Sequence, residues 1–295
     1  MRPTRGATAH RARSDTMPGD AEASRRLFEA VVGAARRTGP PDVLATALAC
    51  LAELDHRTGR WSRAHAAAAE SVRLAEWARR SGAGGAGLEQ CLATLALVEA
   101  CLGRDDDCRI HAERVIRGPR ADLAPVAHAQ AARALLALAG ADHATALGHL
   151  DEVARINACR ATTGDALRRW GADHVEAAAG AGSPARAAQL LRRLTTCAAE
   201  AESPALDAVA LRAAGIVARE ADMDLLFQEA LELHTCAPSP FEWARTRLCY
   251  GERLRRAGRR DEADDQVSAA VTTFERLGAR GWAARCRTPD GAAAT

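Results

Sequence analysis

Apolar positions recur along this chain at the three- and four-residue spacing of one helix face, and glycine or proline interrupts the pattern at intervals. With those interruptions as punctuation, the pattern predicts a lone helix over 20–37. Six antiparallel pairs follow: 41–57 with 61–80, 86–102 with 105–117, 122–139 with 142–158, 162–181 with 184–201, 204–219 with 222–234, and 239–257 with 260–278. Aligning the turns places a small or apolar residue in each second helix at Ala64, Cys108, Ala146, Ala187, Leu226 and Ala263, in steps of 44, 38, 41, 39 and 37 residues. Gly59, Gly103, Ala141, Gly182 and Gly258 each precede that residue by five positions, as a tight turn between antiparallel helices needs. The fifth pair is irregular, with Phe227 as an alternative anchor.

A period of this length marks units that cannot bury their apolar faces alone and stack on one another instead. The expected fold is all-α, a tetratricopeptide-like α-solenoid of about six antiparallel helix pairs in a right-handed superhelix, forming one domain over residues 20–286. Residues 1–19, with Arg2, Arg5, Arg11 and Arg13 and no apolar stretch behind them, are expected to be a disordered lead, and 287–295 a disordered tail. The glycine-rich SGAGGAG at 81–87 reads as a loop between repeats. At the open N-terminal end, Leu27, Val31 and Val32 are expected to be exposed, which favours self-association there.

Composition narrows the picture further. Aromatic residues make up 3% of the chain, while alanine, leucine and arginine dominate, so the core must be close helix packing. No apolar run approaches the ~20 residues of a membrane span, and no membrane association is expected. A net charge of +2, with both signs interspersed, supplies no basic face for direct nucleic-acid binding. All 40 basic residues are arginine, which excludes a Walker A lysine, a Schiff-base lysine and a lysine general base together. Nine cysteines with no C-x-x-C pair suit a reducing cytoplasm. Cys108 and His111 share a helix face, but no second pair answers them, so neither a metal nor another cofactor is expected.

Recognisable catalytic and nucleotide-binding motifs are lacking, and no enzyme activity is expected. Asp105, Asp106 and Asp107 fall at a helix start, where carboxylates favour the dipole. The basic run Arg253, Arg255, Arg256, Arg259 and Arg260 is flanked by Glu252, Asp261, Glu262, Asp264 and Asp265, the pattern of a solvated helix face. Trp170 and His174, four apart, either line a groove or fill it. In tetratricopeptide-like stacks the first helix of each pair lines the concave groove, and counting from the turns selects Thr46, Glu53, His56, Gln90, His128, Arg169, Glu176, Arg245 and Glu252. Polar residues in that position suit charge-assisted recognition of a peptide or a polar small molecule. The alternative is that they are solvent-facing positions of amphipathic helices.

The last pair carries the clearest pattern. Tyr250, Gly251, Leu254, Gly258, Ala263, Val267 and Ala270 fall at tetratricopeptide spacing; Ser239 and Glu242 read as a capping box, with Pro240 at the first helical position. Residues 238–287 resemble the last repeat before the DNA-binding domain of large ATP-dependent LuxR-family transcriptional regulators. The resemblance rests on Pro240-Phe241-Glu242, Ala244-Arg245-Thr246, the run from Tyr250 to Arg256, Phe274-Glu275-Arg276-Leu277-Gly278-Ala279 and Trp282, and covers about a sixth of the chain. It implies the role of those regulators' sensor arm, which receives an inducer or a regulatory protein. The chain lacks their Walker A motif before the repeats and stops at Thr295, about where their helix-turn-helix begins, so ATP hydrolysis and autonomous DNA binding are not carried over. The expected function is a non-catalytic regulatory binding module that takes a protein partner or small-molecule inducer in its groove, with a separate ATPase or helix-turn-helix protein as a further expected partner. The alternative is a stand-alone tetratricopeptide adaptor unrelated to transcription.

Overall fold

The computed structural model describes residues 18–82, 87–118, 122–236 and 239–288, and every regular element among them is a helix. Helix α1 (Pro18–Thr38) stands alone, beginning two residues inside the segment expected to be disordered. The six pairs are α2 (Pro41–Arg57) with α3 (Trp61–Arg80), α4 (Leu88–Leu102) with α5 (Asp105–Ile116), α6 (Ala124–Ala139) with α7 (His143–Cys159), α8 (Thr163–Gly180) with α9 (Pro184–Ala201), α10 (Pro204–Val217) with α11 (Glu220–Cys236), and α12 (Pro240–Arg256) with α13 (Arg260–Leu277). A short α14 (Arg280–Arg287), absent from the sequence reading, ends the described chain. The expected lead up to residue 17, most of the glycine-rich loop and the tail from 289 lie outside the described residues.

The pairs form an α-solenoid because each turn is built the same way. Gly59, Gly103, Gly182 and Gly258 take the left-handed backbone that closes a helix, and Ala141 takes it too, at φ 57°. The small residue five positions on is fully buried in Ala64, Cys108, Ala146, Ala187 and Ala263. In the irregular fifth pair the buried anchor is Phe227, while Leu226 is only half-buried. Within the last pair a methyl group on Gly251 would stand 2.6 Å from Val267, so only glycine permits that helix approach. The capping box does not form: Ser239 makes no side-chain cap, and the Glu242 carboxylate is taken by Arg212 at 2.5 Å. A charge-assisted bond to a buried guanidinium outweighs a neutral cap.

One continuous core joins α2 to α8 with α12, α13 and α14. Phe241 of α12 meets Trp61 of α3 edge-on at 5.0 Å, and Trp282 of α14 packs on Phe241 and Phe274. A methyl on Gly103, in the α4–α5 turn, would come within 2.8 Å of the Gly281 amide nitrogen. The last repeat and α14 therefore sit inside the curve of the first repeats. At the N-terminal end Leu27 and Val31 are exposed as expected, whereas Val32 is buried against α2. Among the described residues no helix is long and apolar enough to cross a membrane.

Candidate functional site

The inner faces of α2, α4, α6, α8, α10 and α12 converge, and their polar side chains fall into two groups. The first lies along the rim formed by the N-terminal halves of α4 and α6 with parts of α2 and α8. Gln90 bonds the His128 ring nitrogen at 3.1 Å, and His128 stands edge-on to Trp170 at 5.2 Å. Arg169 donates to Glu53, places its guanidinium 5.0 Å above the Trp170 ring, and leaves 29% of its side chain in solvent. His128 lies 3.9 Å from the same Glu53 carboxylate. Thr46 is exposed nearby in α2, its hydroxyl donating to the Asp42 carbonyl at 2.9 Å. Trp170 and His174 fill the structure instead of lining an opening: both are buried, and the cleft beside them has room of about 30 Å³, roughly one water.

The second group is buried at the centre. Arg245 of α12 donates to Asp173 at 2.5 Å and to Glu176 at 2.6 Å, both on α8. Arg285 of α14 donates to Glu176 at 2.8 Å, to both Glu252 oxygens at 2.9 Å and to the Leu138 carbonyl at 2.8 Å. Arg212 of α10 holds Glu242 and lies 4.0 Å from Asp173. Four carboxylates thus surround three buried guanidiniums, while exposed Arg256 reaches Glu252 from outside at 3.8 Å.

Burial alone would raise every carboxylate here, and the charges decide the outcome. Against that burial the guanidiniums of Arg212 and Arg245 hold Glu242 down at about 2, and those of Arg245 and Arg285 hold Glu176 well below its usual range. Asp173 goes the other way, because burial outweighs its bond to Arg245.

His56 is held apart from both groups, stacked on Trp61 at 5.4 Å with its Nε2 3.1 Å from the Cys101 sulfur. Burial lowers the imidazole to about 4 and raises the thiol, so both members of the pair are neutral. A reactive cysteine needs the opposite, a thiolate beside a cation. Cys108 and His111 do not form a ligand pair: the thiol is buried, and His111 bonds the buried Glu99 at 2.7 Å. Among the described residues no group of three or more His, Cys, Asp or Glu side chains is placed to hold a metal ion.

Of the residues selected by counting from the turns, Gln90, His128, Glu53 and Arg169 meet at the rim with Thr46 close by, while Glu176, Arg245 and Glu252 meet in the buried network. Asp173, Arg212, Glu242 and Arg285 were missed. Asp173 stands three residues before Glu176 on the same apolar helix, a signal that was present in the spacing; Arg285 lay in a segment not read as a helix.

No protein-family model matches the chain, and no curated protein matches its sequence. In fold it is similar to the crystal structure of a Rap protein complexed with competence and sporulation factor. The two align with a TM-score of 0.73 at 13% identity, over 88% of this chain and 71% of that one.

Proposed function

We propose that this chain is a non-catalytic regulatory binding module of the cytoplasm, equivalent to the sensor arm of a LuxR-family regulator, which takes a protein partner or small-molecule inducer on its concave side. The observation that carries this reading is the rim. There Gln90 and Arg169, drawn from two different repeats, reach solvent beside the buried Trp170, Arg169 over its ring and Gln90 through His128, with Glu53 behind them and Thr46 exposed on α2. An arginine braced on an aromatic face and a neighbouring amide suit a carboxylate or a peptide backbone. Support also comes from the Rap protein, a chain of similar fold that was captured with a bound factor.

The test compares two baits, the parent chain and Arg169→Gln with Gln90→Ala, each purified from native cells at moderate salt. The expected result is a P-loop ATPase or a helix-turn-helix protein retained by the parent and depleted at least ten-fold from the variant. A partner unrelated to transcription that is lost in the same way would make the chain a stand-alone adaptor. Nothing retained by the parent, or the same proteins on both baits, contradicts binding at the rim.

A further inference from the structure

The concave side of this solenoid already has an occupant. Arg285 is 3% exposed and makes four hydrogen bonds, to carboxylates of α8 and α12 and to a backbone carbonyl at the end of α6. Three residues earlier Trp282 is buried against Phe241 and Phe274, with the Arg245 guanidinium 4.7 Å from its ring centre. Its indole nitrogen has no hydrogen-bond partner among the described residues, although a buried indole N–H normally finds one.

Two features set this helix apart from the end cap of a solenoid. A cap covers the repeat before it, whereas α14 also packs on the α4–α5 turn at Gly103 and on Ala139 at the end of α6, in the second and third repeats. A cap also needs only apolar contacts. Here part of the contact is a buried ion pair, which a hydrophobic pair of similar volume would match or exceed in stability. What buried charge provides instead is discrimination, because a bidentate carboxylate accepts a guanidinium and little else. At eight residues α14 is too short to persist as a helix without its contacts, and only Ala279 separates it from Gly278, at φ 76°.

We propose that the cup formed by Glu176, Glu252 and the Leu138 carbonyl is a guanidinium site for a partner segment carrying an aromatic side chain three residues before an arginine, and that α14 fills this cup until such a segment displaces it. The aromatic residue takes the place of Trp282 against the paired rings of Phe241 and Phe274, and the arginine takes the place of Arg285. This goes beyond the reading at the rim: it rests on the chain being a binding module and adds a second site with a stated partner chemistry. The two readings fail separately, since a peptide supplied in trans probes the cup whether or not a cellular partner is captured at the rim.

The probe is a fluorescent peptide with the sequence of residues 278–288 and Cys286→Ser, titrated by anisotropy into the full chain and into full-length Arg285→Ala. The variant, its own α14 weakened, is expected to bind at least ten-fold more tightly than the parent. The same peptide with Arg285→Gln is expected to bind at least ten-fold more weakly to that variant. A variant that keeps the parent's helical circular dichroism yet shows no saturable binding, or binds both peptides alike, overturns the proposal. Hydrogen exchange on the parent chain decides independently of the variant's folding. Amides 283–287 should exchange at least a hundred-fold faster than amides 172–178 of α8, and equal protection of the two segments overturns displacement.

Discussion

Arg245 is 1% exposed and holds two carboxylates of another repeat, an arrangement in which removing one partner costs more than replacing the whole group. Arg245→Ala is expected to lose about 3–5 kcal/mol in urea unfolding, because buried Asp173 loses its hydrogen-bonded guanidinium and buried Glu176 loses one of its two. A loss below about 1 kcal/mol would mean that the network is open to water. Ala141 is the reverse case. It holds the left-handed backbone that glycine holds at the equivalent turns, so Ala141→Gly should raise stability by about 0.5–1 kcal/mol, the relief of strain exceeding glycine's greater freedom in the unfolded chain. A lower melting temperature would contradict that assignment. The titrating residues set the acid limb. His56 and His234 are lowered by burial to about 4, below the 6.5 of an exposed imidazole, so the unfolded chain binds their protons first and stability declines as pH falls from about 6.5 towards 4. Glu242, held at about 2, and Glu176 contribute stability that is complete above about pH 4.5 and lost as pH falls through their folded values, while Asp173, raised by burial, offsets part of that loss. Melting temperature should therefore fall in two stages; a flat profile from pH 7 to 3 would contradict the burial of these groups.

The helices were legible because the signals that start and stop them are local. Pro41, Pro184, Pro204 and Pro240 open helices at the positions read from the sequence, and the left-handed turn residues end the first members of five pairs. The misreadings are equally local. The spacing of Ser239 and Glu242 predicts the carboxylate at its own helix end, whereas it bonds Arg212, 30 residues away. Helix α14 was missed because RGWAARCR is too short for an apolar period and is held by tertiary contacts. The fifth pair broke the alignment because Phe227, not a small residue, packs against Gly215. Close helix approach gives a prediction at this scale. Gly251→Ala pushes a methyl against Val267 and the Ala263 carbonyl, and should cost about 1–3 kcal/mol, with Val267→Ala in the same chain restoring part of it. No recovery in the double variant would place the strain elsewhere.

Across the whole molecule, closure was not legible. Counting from the turns identified the face that points inward, yet nothing in the repeat spacing says that the sixth pair returns to the first, since that depends on the summed rotation of all the pairs. Closure turns a surface expected to be open into two places: a rim that reaches solvent and a centre where arginine and carboxylate are sealed by α12 and α14. The distinction between lining and network among the nine selected residues follows from it. One contact between the ends is the ring pair Trp61 and Phe241, 5.0 Å apart and contributed by the first and the last helix pairs. A double-mutant cycle with Trp61→Leu and Phe241→Leu, read by equilibrium unfolding, tests the closure directly. The account predicts a coupling of about 0.5–1.5 kcal/mol between the two positions. Losses that add to within about 0.3 kcal/mol would show that the ends of the solenoid do not meet in solution.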